Sequence, residues 1–341
     1  MGCSVKILNI GIIGLQMGYS HLVACEQMPG VAVTAACDTD PARLDAVVGE
    51  KRVAVFAADY RALVARDDLD IIIVATPDHL HEEHTVAALR AGKHVLCEKP
   101  MAPSLEACRR MLEAAQAAGR TLMIGHVARF TPVFRTLKAM ADRGELGDLY
   151  YVAAEYLHDY SEIGGVGDWR FDPQVGRHVF LGGGCHAVDL MRWFLDDLDT
   201  VSAQANHFAV PHLPRDDTLA ACYKTVSGRI GRALVAGGAR RPYGIHLQLY
   251  GTEGTALASN VEAEARVWLK RIEGLGDRWI TLPTAVASHP VADQMRHFIA
   301  CICSGREPLV SGLEGARTVA AALAGIRAAE SGQPQPAGFT G

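Results

Sequence analysis

The sequence lacks the features that mark membrane, disulfide-bonded and nucleic-acid-binding proteins. Its longest apolar runs, such as Ile71–Ala75 and Val319–Ile326, are far shorter than the about 20 residues of a membrane-spanning helix. Its nine cysteines are odd in number and include no C-x-x-C pair, which is typical of reduced thiols rather than a disulfide scaffold. With 33 basic and 38 acidic residues the net charge is −5, so no basic field attracts nucleic acid or anionic lipid.

These absences predict a soluble, cytoplasmic protein without a membrane or nucleic-acid partner. Gly14, Gln16 and Gly18 interrupt the N-terminal apolar stretch, so no signal peptide is expected. The chain has 341 residues, of which 49% are hydrophobic and 21% charged. That composition excludes extensive disorder, and the length fits two domains of roughly 150 residues each.

The first third of the chain alternates between β-rich apolar runs and helical patterns. The predicted strands are Val5–Ile13, Val31–Cys37, Ile71–Ala75, His94–Cys97 and Thr121–Gly125, and the predicted helices are Ser20–Met28, Pro41–Val48, Glu82–Ala91 and Leu105–Ala118. Strict alternation of strand and helix is typical of a parallel, doubly wound sheet. We therefore predict an α/β domain over residues 1–128.

The pattern changes near residue 129 to long segments rich in Val, Tyr, Thr and Leu. Predicted strands are Tyr150–His158, Val201–Val210, Thr218–Val226, Arg229–Gly237 and Ile245–Tyr250, and predicted helices are Pro132–Arg143, Ala187–Leu195, Val291–Ser304 and Leu313–Ser331. Residues 129–341 are thus predicted to form an α+β domain with a mostly antiparallel, open sheet. Its two closing helices are candidates to pack back on the first domain.

The turn between the first strand and the first helix has the composition of a phosphate-binding loop. It reads Gly11-Ile12-Ile13-Gly14-Leu15-Gln16-Met17-Gly18, an imperfect G-x-G-x-x-G because Gln16 replaces the second glycine. Asp38 ends the second strand 24 residues after Gly14, near the roughly 20 expected of the acidic residue that binds the adenosine ribose. A carboxylate there repels a 2′-phosphate, so a Rossmann fold that binds NAD is favoured over one that binds NADP. The competing interpretation is that Asp38 only caps a turn.

Two further strand ends bring polar residues to the same edge of the predicted sheet. Glu98-Lys99-Pro100 follows the strand His94–Cys97, and Thr76-Pro77 follows the strand Ile71–Ala75. Open α/β sheets bind ligands at this carboxyl edge, so a lysine there is a candidate for catalysis.

Candidate substrate residues lie in the second half of the chain. His186 and Asp189 are three residues apart and therefore share a helix face. The polar residues available for a pocket are His158, Asp159, Tyr160, Asp168, Arg170, His186 and Asp189. They suit a substrate with several hydroxyls, because each unmet buried polar group costs roughly 1–3 kcal/mol. Besides Lys99, Arg170 is the only cationic side chain assigned to this pocket, so a neutral substrate is expected rather than a phosphosugar. That expectation would change if Arg129 or Arg240-Arg241 also faced the pocket.

These motifs resemble the glucose–fructose oxidoreductase/inositol dehydrogenase (Gfo/Idh/MocA) family of sugar and cyclitol dehydrogenases. The likeness covers nearly the whole chain and rests on Gly11–Gly18, Asp38, Ala75-Thr76-Pro77 with His81, Ala91–Pro100, Arg129-Phe130, His186-x-x-Asp189, Gln294–Phe298 and Ser304–Leu309. It implies a Rossmann domain followed by a substrate domain whose open sheet forms a homodimer or homotetramer.

The resemblance also implies roles for single residues. The cofactor would be bound by Gly14, Gln16, Met17, Gly18, Asp38, Thr76, Pro77, His81, Glu98 and Lys99. Lys99 would bridge the nicotinamide ribose and the reacting hydroxyl, and His186 would be the general base. The substrate-binding residues would be His158, Asp168, Arg170 and Asp189, and a cis bond is expected before Pro100.

One position departs from the family pattern. Many members carry an aspartate four residues before this histidine, and here that position is Gly182. The carboxylate that would orient His186 is therefore left open, with Asp168 and Asp189 as candidates.

The implied function is an NAD-dependent dehydrogenase that oxidises a secondary hydroxyl of a sugar, sugar derivative or cyclitol, using Lys99 and His186. Two alternatives stay open: a redox-neutral enzyme that cleaves glycosides with a retained cofactor, and a non-catalytic nicotinamide-responsive regulator. No metal is expected, because His81-Glu82-Glu83-His84 does not follow the H-E-x-x-H pattern of zinc enzymes.

Overall fold

The computed structural model describes residues 7–51, 53–57, 59–162, 168–175, 177–270 and 278–339. It divides the chain into two compact units. Unit 1 comprises Met1–His126 and Val291–Ala316, and unit 2 comprises Val127–Pro290 and Arg317–Gly341. The division after His126 lies two residues before the predicted boundary, and the stretch 291–316 joins the first unit.

The helices and strands follow one another through both units. The first half contains β1 (Leu8–Ile13), α1 (Leu15–Glu26), β2 (Val31–Asp38), α2 (Pro41–Lys51), β3 (Ala54–Ala57), α3 (Tyr60–Val64), β4 (Ile71–Val74), α4 (His81–Arg90), β5 (His94–Cys97), α5 (Leu105–Ala118), β6 (Leu122–Ile124), α6 (Pro132–Asp142) and β7 (Leu149–Leu157). The second half contains α7 (Val179–Gly182), α8 (Cys185–Phe194), β8 (Leu198–Asn206), β9 (Thr218–Thr225), β10 (Ile230–Ala236), β11 (Gly244–Gly251), β12 (Gly254–Ser259), β13 (Glu264–Leu269), β14 (Ile280–Pro283), α9 (Val291–Ser304), α10 (Gly312–Ser331) and β15 (Gln335–Pro336).

Unit 1 is built on a six-stranded parallel sheet in the order β3-β2-β1-β4-β5-β6. This is the strand order of a doubly wound Rossmann sheet, which confirms the predicted fold class. All four residues of β4 are buried, as expected of a parallel strand that is covered on both faces. Helix α5 has a capping residue at each end: Ser104 accepts a hydrogen bond from the Ala107 N–H at its start, and Gly119 ends it with φ of 59°.

Unit 2 is built on a nine-stranded sheet in the order β14-β13-β12-β11-β7-β10-β9-β8-β15. The β7–β10 pair is parallel and the other seven pairs are antiparallel, so the predicted, mostly antiparallel sheet is confirmed. Buried and exposed residues alternate along β9, and α8 packs against β7, β10 and β11. One face of the sheet therefore carries the core of the unit.

The structure differs from the sequence prediction at several elements. The strand predicted at Val201–Val210 lies at Leu198–Asn206, because the Asp217 carboxylate accepts hydrogen bonds from the Ala209 and Val210 N–H groups and holds them in a loop. The short elements β3, α3, α7, β12, β13, β14 and β15 were not predicted. Val5, at the predicted start of β1, lies outside the described residues. No described helix combines the length and apolar character that a membrane span requires.

Candidate active site

The glycine turn after β1 makes a tight approach to the turn after β4. Gly14 has φ of 88°, and a Cβ built there would lie 2.6 Å from the carbonyl oxygen of Ala75. A Cβ on Gly18 would lie 2.6 Å from Cγ2 of Ile12, so this glycine lets α1 pack closely on the sheet. Both positions therefore need glycine. Gln16 is exposed at the N-terminus of α1, where a bound phosphate meets backbone N–H groups.

Asp38 ends β2 beside this turn. Its Oδ2 accepts a hydrogen bond from the Leu15 N–H at 2.6 Å, and its Oδ1 accepts one from the Asp40 N–H at 2.9 Å. Nη1 of Arg43 lies 3.7 Å from Oδ2 of Asp38. The carboxylate thus caps the local turn and also lies at the position from which a Rossmann acidic residue meets the ribose. Arg43, on α2, is a nearby cation that the sequence analysis did not count.

Glu98 and Lys99 follow β5 at the same edge of the sheet. Glu98 is 7% exposed, and its Oε1 lies 2.8 Å from Nε2 of the buried His21 on α1. Burial raises the pKa of Glu98, but the hydrogen bond from His21 and the charges of His21 and Lys99 lower it by more, to about 2. Glu98 is therefore ionised at neutral pH. The Lys99–Pro100 bond is cis, as predicted, and Lys99 is partly exposed.

His81 connects two of these turns from a fully buried position. Its Nδ1 lies 2.8 Å from the carbonyl oxygen of Pro100, and its Nε2 lies 2.9 Å from that of Thr76. Because both partners are acceptors, both ring nitrogens must donate, which requires the imidazolium form. Burial lowers the pKa of His81, while Cys97, Asp78 and the Pro100 carbonyl raise it by more, to about 9. With a carbonyl partner for each ring nitrogen, His81 holds the two turns in place, and its predicted contact with the cofactor stays a prediction.

This raised pKa predicts a pH-dependent stability. Between pH 6.5 and about 9, His81 is protonated in the folded chain and neutral in the unfolded chain. Its contribution to the free energy of unfolding is therefore complete below pH 6.5 and is lost as the pH rises through about 9. We expect the free energy of unfolding of the wild type, relative to that of His81→Gln, to fall by about 3 kcal/mol across this range. Urea unfolding of both proteins at a series of pH values measures it. A difference that stays constant with pH contradicts the assignment.

In unit 2, His186 lies in the first turn of α8. It is 3% exposed, and its ring stacks on that of Tyr156, with centroids 6.0 Å apart and planes 14° apart. A Cβ on Gly183 would lie 2.5 Å from Cε1 of Tyr156 and 2.6 Å from Oη of Tyr160. The glycine-rich turn before α8 therefore brings His186 against these tyrosines.

Tyr156, His158, Tyr160, Tyr243 and His186 form an aromatic cluster. Oη of Tyr156 lies 3.1 Å from Nδ1 of His158, Tyr160 donates to Oη of Tyr156 at 3.5 Å, and the His158 and Tyr243 ring centroids are 5.1 Å apart. Burial raises the pKa of all three phenols, so they stay protonated at neutral pH. The cluster offers flat apolar surfaces together with hydroxyl donors.

Asp168 and Arg170 pair with each other. The Asp168 carboxylate accepts hydrogen bonds from the Arg170 backbone N–H at 2.9 Å and from Nη1 of Arg170 at 3.0 Å. The guanidinium carbons of Arg170 and Arg177 both lie 5.0 Å from the ring centroid of Trp169. A second arginine, Arg177, therefore lies against the same tryptophan ring as Arg170. Asp168 and Arg170 are the two residues that the sequence predicted for substrate binding.

Asp189 is fully buried in an ion pair with Arg129. Nε of Arg129 donates to Oδ2 at 2.8 Å and Nη2 donates to Oδ1 at 2.7 Å, while Oγ1 of Thr318 donates to Oδ1 at 3.1 Å. Both oxygens of the predicted substrate-binding carboxylate therefore have protein donors. The geometry fits a residue that fixes α8, and with it His186, more closely than one that contacts substrate.

Other charged groups singled out in the sequence lie in ion pairs. Nη1 of Arg240 lies 2.6 Å from Oδ2 of Asp159 on the surface of unit 2. The hydrogen bonds of Asp159 with Ser161 and Arg240 lower its pKa to about 2. Within the part of the chain that the structure describes, no group of three His, Cys, Asp or Glu side chains is arranged to hold a metal ion.

The structure and the sequence agree best on the sheet edge of unit 1. There the ends of β1, β2, β4 and β5 bring together the predicted cofactor residues Gly14–Gly18, Asp38, Thr76-Pro77 and Glu98-Lys99 around the point where the strand order reverses. Five further residues near these positions were not predicted from the sequence: His21, Arg43, Tyr156, Arg177 and Tyr243. Tyr156 had a usable signal, since it is two residues before His158 and alternate residues of an extended segment point to the same side.

Comparison with known proteins identifies the family. Residues 8–126 match the family described as "Oxidoreductase family, NAD-binding Rossmann fold", and residues 134–257 match the GFO/IDH/MocA C-terminal domain. The chain belongs to the Gfo/Idh/MocA oxidoreductase family, and unit 1 carries its NAD-binding Rossmann fold.

Two curated relatives and one solved structure are similar to this chain in sequence or in fold. The chain is 34% identical to inositol 2-dehydrogenase 2 of Saccharopolyspora erythraea over 217 residues. This match covers 62% of the chain and 59% of the relative's length. It is 29% identical to 1,5-anhydro-D-fructose reductase of Ensifer adhaerens, over 95% of the chain and 96% of the relative. Levoglucosan dehydrogenase in complex with NADH superposes with a TM-score of 0.90 at 21% identity, covering 98% of this chain and all of that one, which shows a shared fold.

Proposed function

We propose that this chain oxidises a secondary hydroxyl of a sugar, sugar derivative or cyclitol, with NAD as the hydride acceptor. The observation that carries the proposal is the convergence of Gly14–Gly18, Asp38 and Glu98-Lys99 at one sheet edge of unit 1. The named activities of the relatives, on inositol, anhydrofructose and levoglucosan, support the substrate class.

The residues of unit 1 fit a dinucleotide. Gly14 and Gly18 allow the turn after β1 and the start of α1 to pack closely against the sheet. The N-terminus of α1, which follows that turn, is where a pyrophosphate would bind. Asp38 would hold the adenosine ribose. Glu98, ionised and fixed by His21, would hold the cofactor next to Lys99. When bound, NAD supplies a hydride acceptor.

Side chains of the protein remove the proton of the substrate hydroxyl and stabilise the negative charge that develops on its oxygen. An alcohol is a weak acid, so loss of hydride from its carbon requires removal of the hydroxyl proton in the same process. Nε2 or Nδ1 of His186 takes that proton, and the ammonium group of Lys99 stabilises the negative charge that develops on the oxygen. The Tyr156 ring covers one face of the His186 ring, and the ion pair between Arg129 and Asp189 fixes α8.

Cofactor choice is expected to depend on Asp38. We expect wild-type protein to bind NAD at least about 10-fold more tightly than NADP, because the carboxylate accepts a ribose hydroxyl and repels a 2′-phosphate. Asp38→Ala should narrow the ratio of NAD to NADP affinity. Arg43→Ala should widen it, because it removes a guanidinium that lies 3.7 Å from Asp38 and would attract a 2′-phosphate. Calorimetric titration of both cofactors into the three proteins measures this. Asp142→Ala, which removes an exposed carboxylate of unit 2, is the control and should leave the ratio unchanged. Equal affinities or tighter NADP binding in the wild type contradicts the assignment.

The reaction class is tested by product stoichiometry. A net dehydrogenase yields one NADH and one ketone for each substrate molecule consumed. Consumption of a glycoside without accumulation of NADH would instead support redox-neutral cleavage, and cofactor binding without turnover of any substrate would support a regulator.

A further inference from the structure

His21 lies on the buried face of α1 and its ring is bonded to Glu98. It is fully buried, and its Nε2 lies 2.8 Å from Oε1 of Glu98. Because a carboxylate oxygen only accepts, Nε2 of His21 carries the hydrogen. Within the part of the chain that the structure describes, Nδ1 of His21 has no hydrogen-bond partner. An unpaired buried nitrogen lowers stability, so packing alone does not account for a histidine at this position.

The carboxylate of Glu98 is held by a second donor and by close packing. Its Oε2 accepts a hydrogen bond from the backbone N–H of Lys99 at 3.2 Å. A Cβ built on Gly125, the residue after β6, would lie 3.2 Å from Cα, Cδ and Oε1 of Glu98, so glycine leaves the space that the carboxylate occupies. Each oxygen of Glu98 has a protein donor and can still accept a further hydrogen bond from a cofactor hydroxyl.

These contacts join two parts of the nucleotide site of unit 1. His21 is three residues after Gly18 on α1, and the N-terminus of that helix is where a pyrophosphate would bind. Lys99 follows Glu98 in the turn after β5. Two hydrogen bonds, from His21 to Glu98 and from the Lys99 N–H to Glu98, therefore connect the helix to the turn that carries the lysine.

The charge of Glu98 also depends on His21. Burial raises the pKa of Glu98, and the hydrogen bond from His21 is the largest of the effects that lower it, ahead of the charge of Lys99. His21 faces the carboxylate from α1 and Lys99 faces it from its own turn, while Gly125 at the end of β6 adds no charge. Without His21 the pKa of Glu98 would rise, because burial would be opposed mainly by Lys99.

We propose that His21 is a positioning residue of the reaction: through Glu98 it holds the turn of Lys99 in the geometry that NAD and the reacting hydroxyl require. The proposal rests on the proposed function. It gives His21 no contact with cofactor or substrate, because the ring is fully buried and its Nε2 is bonded to Glu98.

The first test is the pH dependence of NAD affinity in two variants of the full-length protein. His21→Leu removes the donor, whereas His21→Gln keeps an N–H that can reach a carboxylate. We expect His21→Leu to bind NAD about 10-fold more weakly than the wild type at pH 5.5, the scale of a hydrogen bond to a charged group, with a smaller loss at pH 8. His21→Gln should stay within about 3-fold of the wild type at both pH values. Calorimetric titration of NAD measures these affinities.

A double-variant cycle separates positioning from a merely structural role. If His21 acts through Glu98, adding His21→Leu to Glu98→Gln causes no further loss of NAD affinity. The double variant buries no unpaired carboxylate, so it keeps this comparison available if His21→Leu alone does not fold. On a substrate that yields NADH, His21→Leu should lower kcat by about 10-fold, because Lys99 is displaced from the reacting oxygen.

His94→Leu is the matched control. His94 belongs to the same unit and accepts a hydrogen bond from the Thr121 N–H at the opposite end of β5, so NAD affinity should keep its wild-type value and pH dependence. The proposal is overturned if His21→Leu binds NAD like the wild type, if its loss is equal at both pH values, if His21→Gln is no better, or if the loss adds to that of Glu98→Gln. These titrations need no sugar, so a failure of every sugar to yield NADH counts against the proposed function alone.

Discussion

Replacing either Lys99 or His186 with alanine is expected to lower kcat by about 10²-fold or more. This is the usual scale for a general base or for a group that stabilises a developing oxyanion. The two variants should differ in cofactor binding. His186→Ala should keep wild-type NAD affinity because His186 belongs to unit 2, whereas Lys99 lies in unit 1 beside Glu98, which we propose holds the cofactor. Initial-rate kinetics on an identified substrate and calorimetric NAD titration measure the two effects.

Matched controls come from the surface of unit 2. Lys138→Ala removes an exposed ion pair with Asp142, and His207→Ala removes a histidine that binds the Val210 carbonyl. Both should keep kcat near the wild-type value. If His186→Ala turns over substrate at the wild-type rate, a different base operates, and the absence of a carboxylate at Gly182 becomes its explanation.

Asp189→Ala is expected to destabilise the protein by about 3–5 kcal/mol. The substitution leaves the Arg129 guanidinium, 2% exposed, without the carboxylate that binds it through two hydrogen bonds, and an uncompensated buried charge costs that much. Removing both charges in an Arg129→Met/Asp189→Leu protein should cost less than either single change. Urea unfolding measures the free energies.

The surface pair Lys138–Asp142 provides the comparison for this prediction. Asp142→Asn should change the free energy of unfolding by less than about 1 kcal/mol, because exposed ion pairs contribute little. A stable Asp189→Ala protein with a raised KM would contradict the account and would restore the substrate-binding role that the sequence suggested for Asp189.

The sequence predicted those parts of the fold that repeat a strong local pattern. The strand at His94–Cys97 and the helices at Leu105–Ala118 and Val291–Ser304 have the predicted bounds, because their apolar periodicity and capping residues are local properties. β3 and α3 were missed because four or five residues are too few to distinguish a strand period of 2 from a helix period of 3.6. β13 and β14 are held by partner strands, and pairing between strands is not visible in local periodicity.

The positions of candidate site residues were predictable where the order and direction of the strands alone determine them. Parallel strands place their carboxyl ends at one edge, so the positions of Asp38 and Lys99 follow from the strand assignments. The pairing of Asp189 with Arg129 joins residues 60 apart, and the two carbonyl partners of His81 belong to separate turns. Such contacts depend on tertiary packing. Arg177 and Gly182 are only five residues apart in the sequence. Their contact nevertheless depends on the direction of the Arg177 side chain, which the sequence spacing does not reveal.

The most direct test of the central claim is NADH formation by the purified protein in a side-by-side substrate assay. Neutral pyranoses, inositols, hexuronates and phosphosugars would be compared with simple aliphatic alcohols at saturating NAD. We expect a higher kcat/KM for a polyhydroxylated substrate. An apolar substrate leaves the polar groups of the pocket without hydrogen-bond partners, at a cost of roughly 1–3 kcal/mol for each buried group. A higher kcat/KM for the aliphatic alcohols, or no NADH from any polyhydroxylated compound, would contradict it.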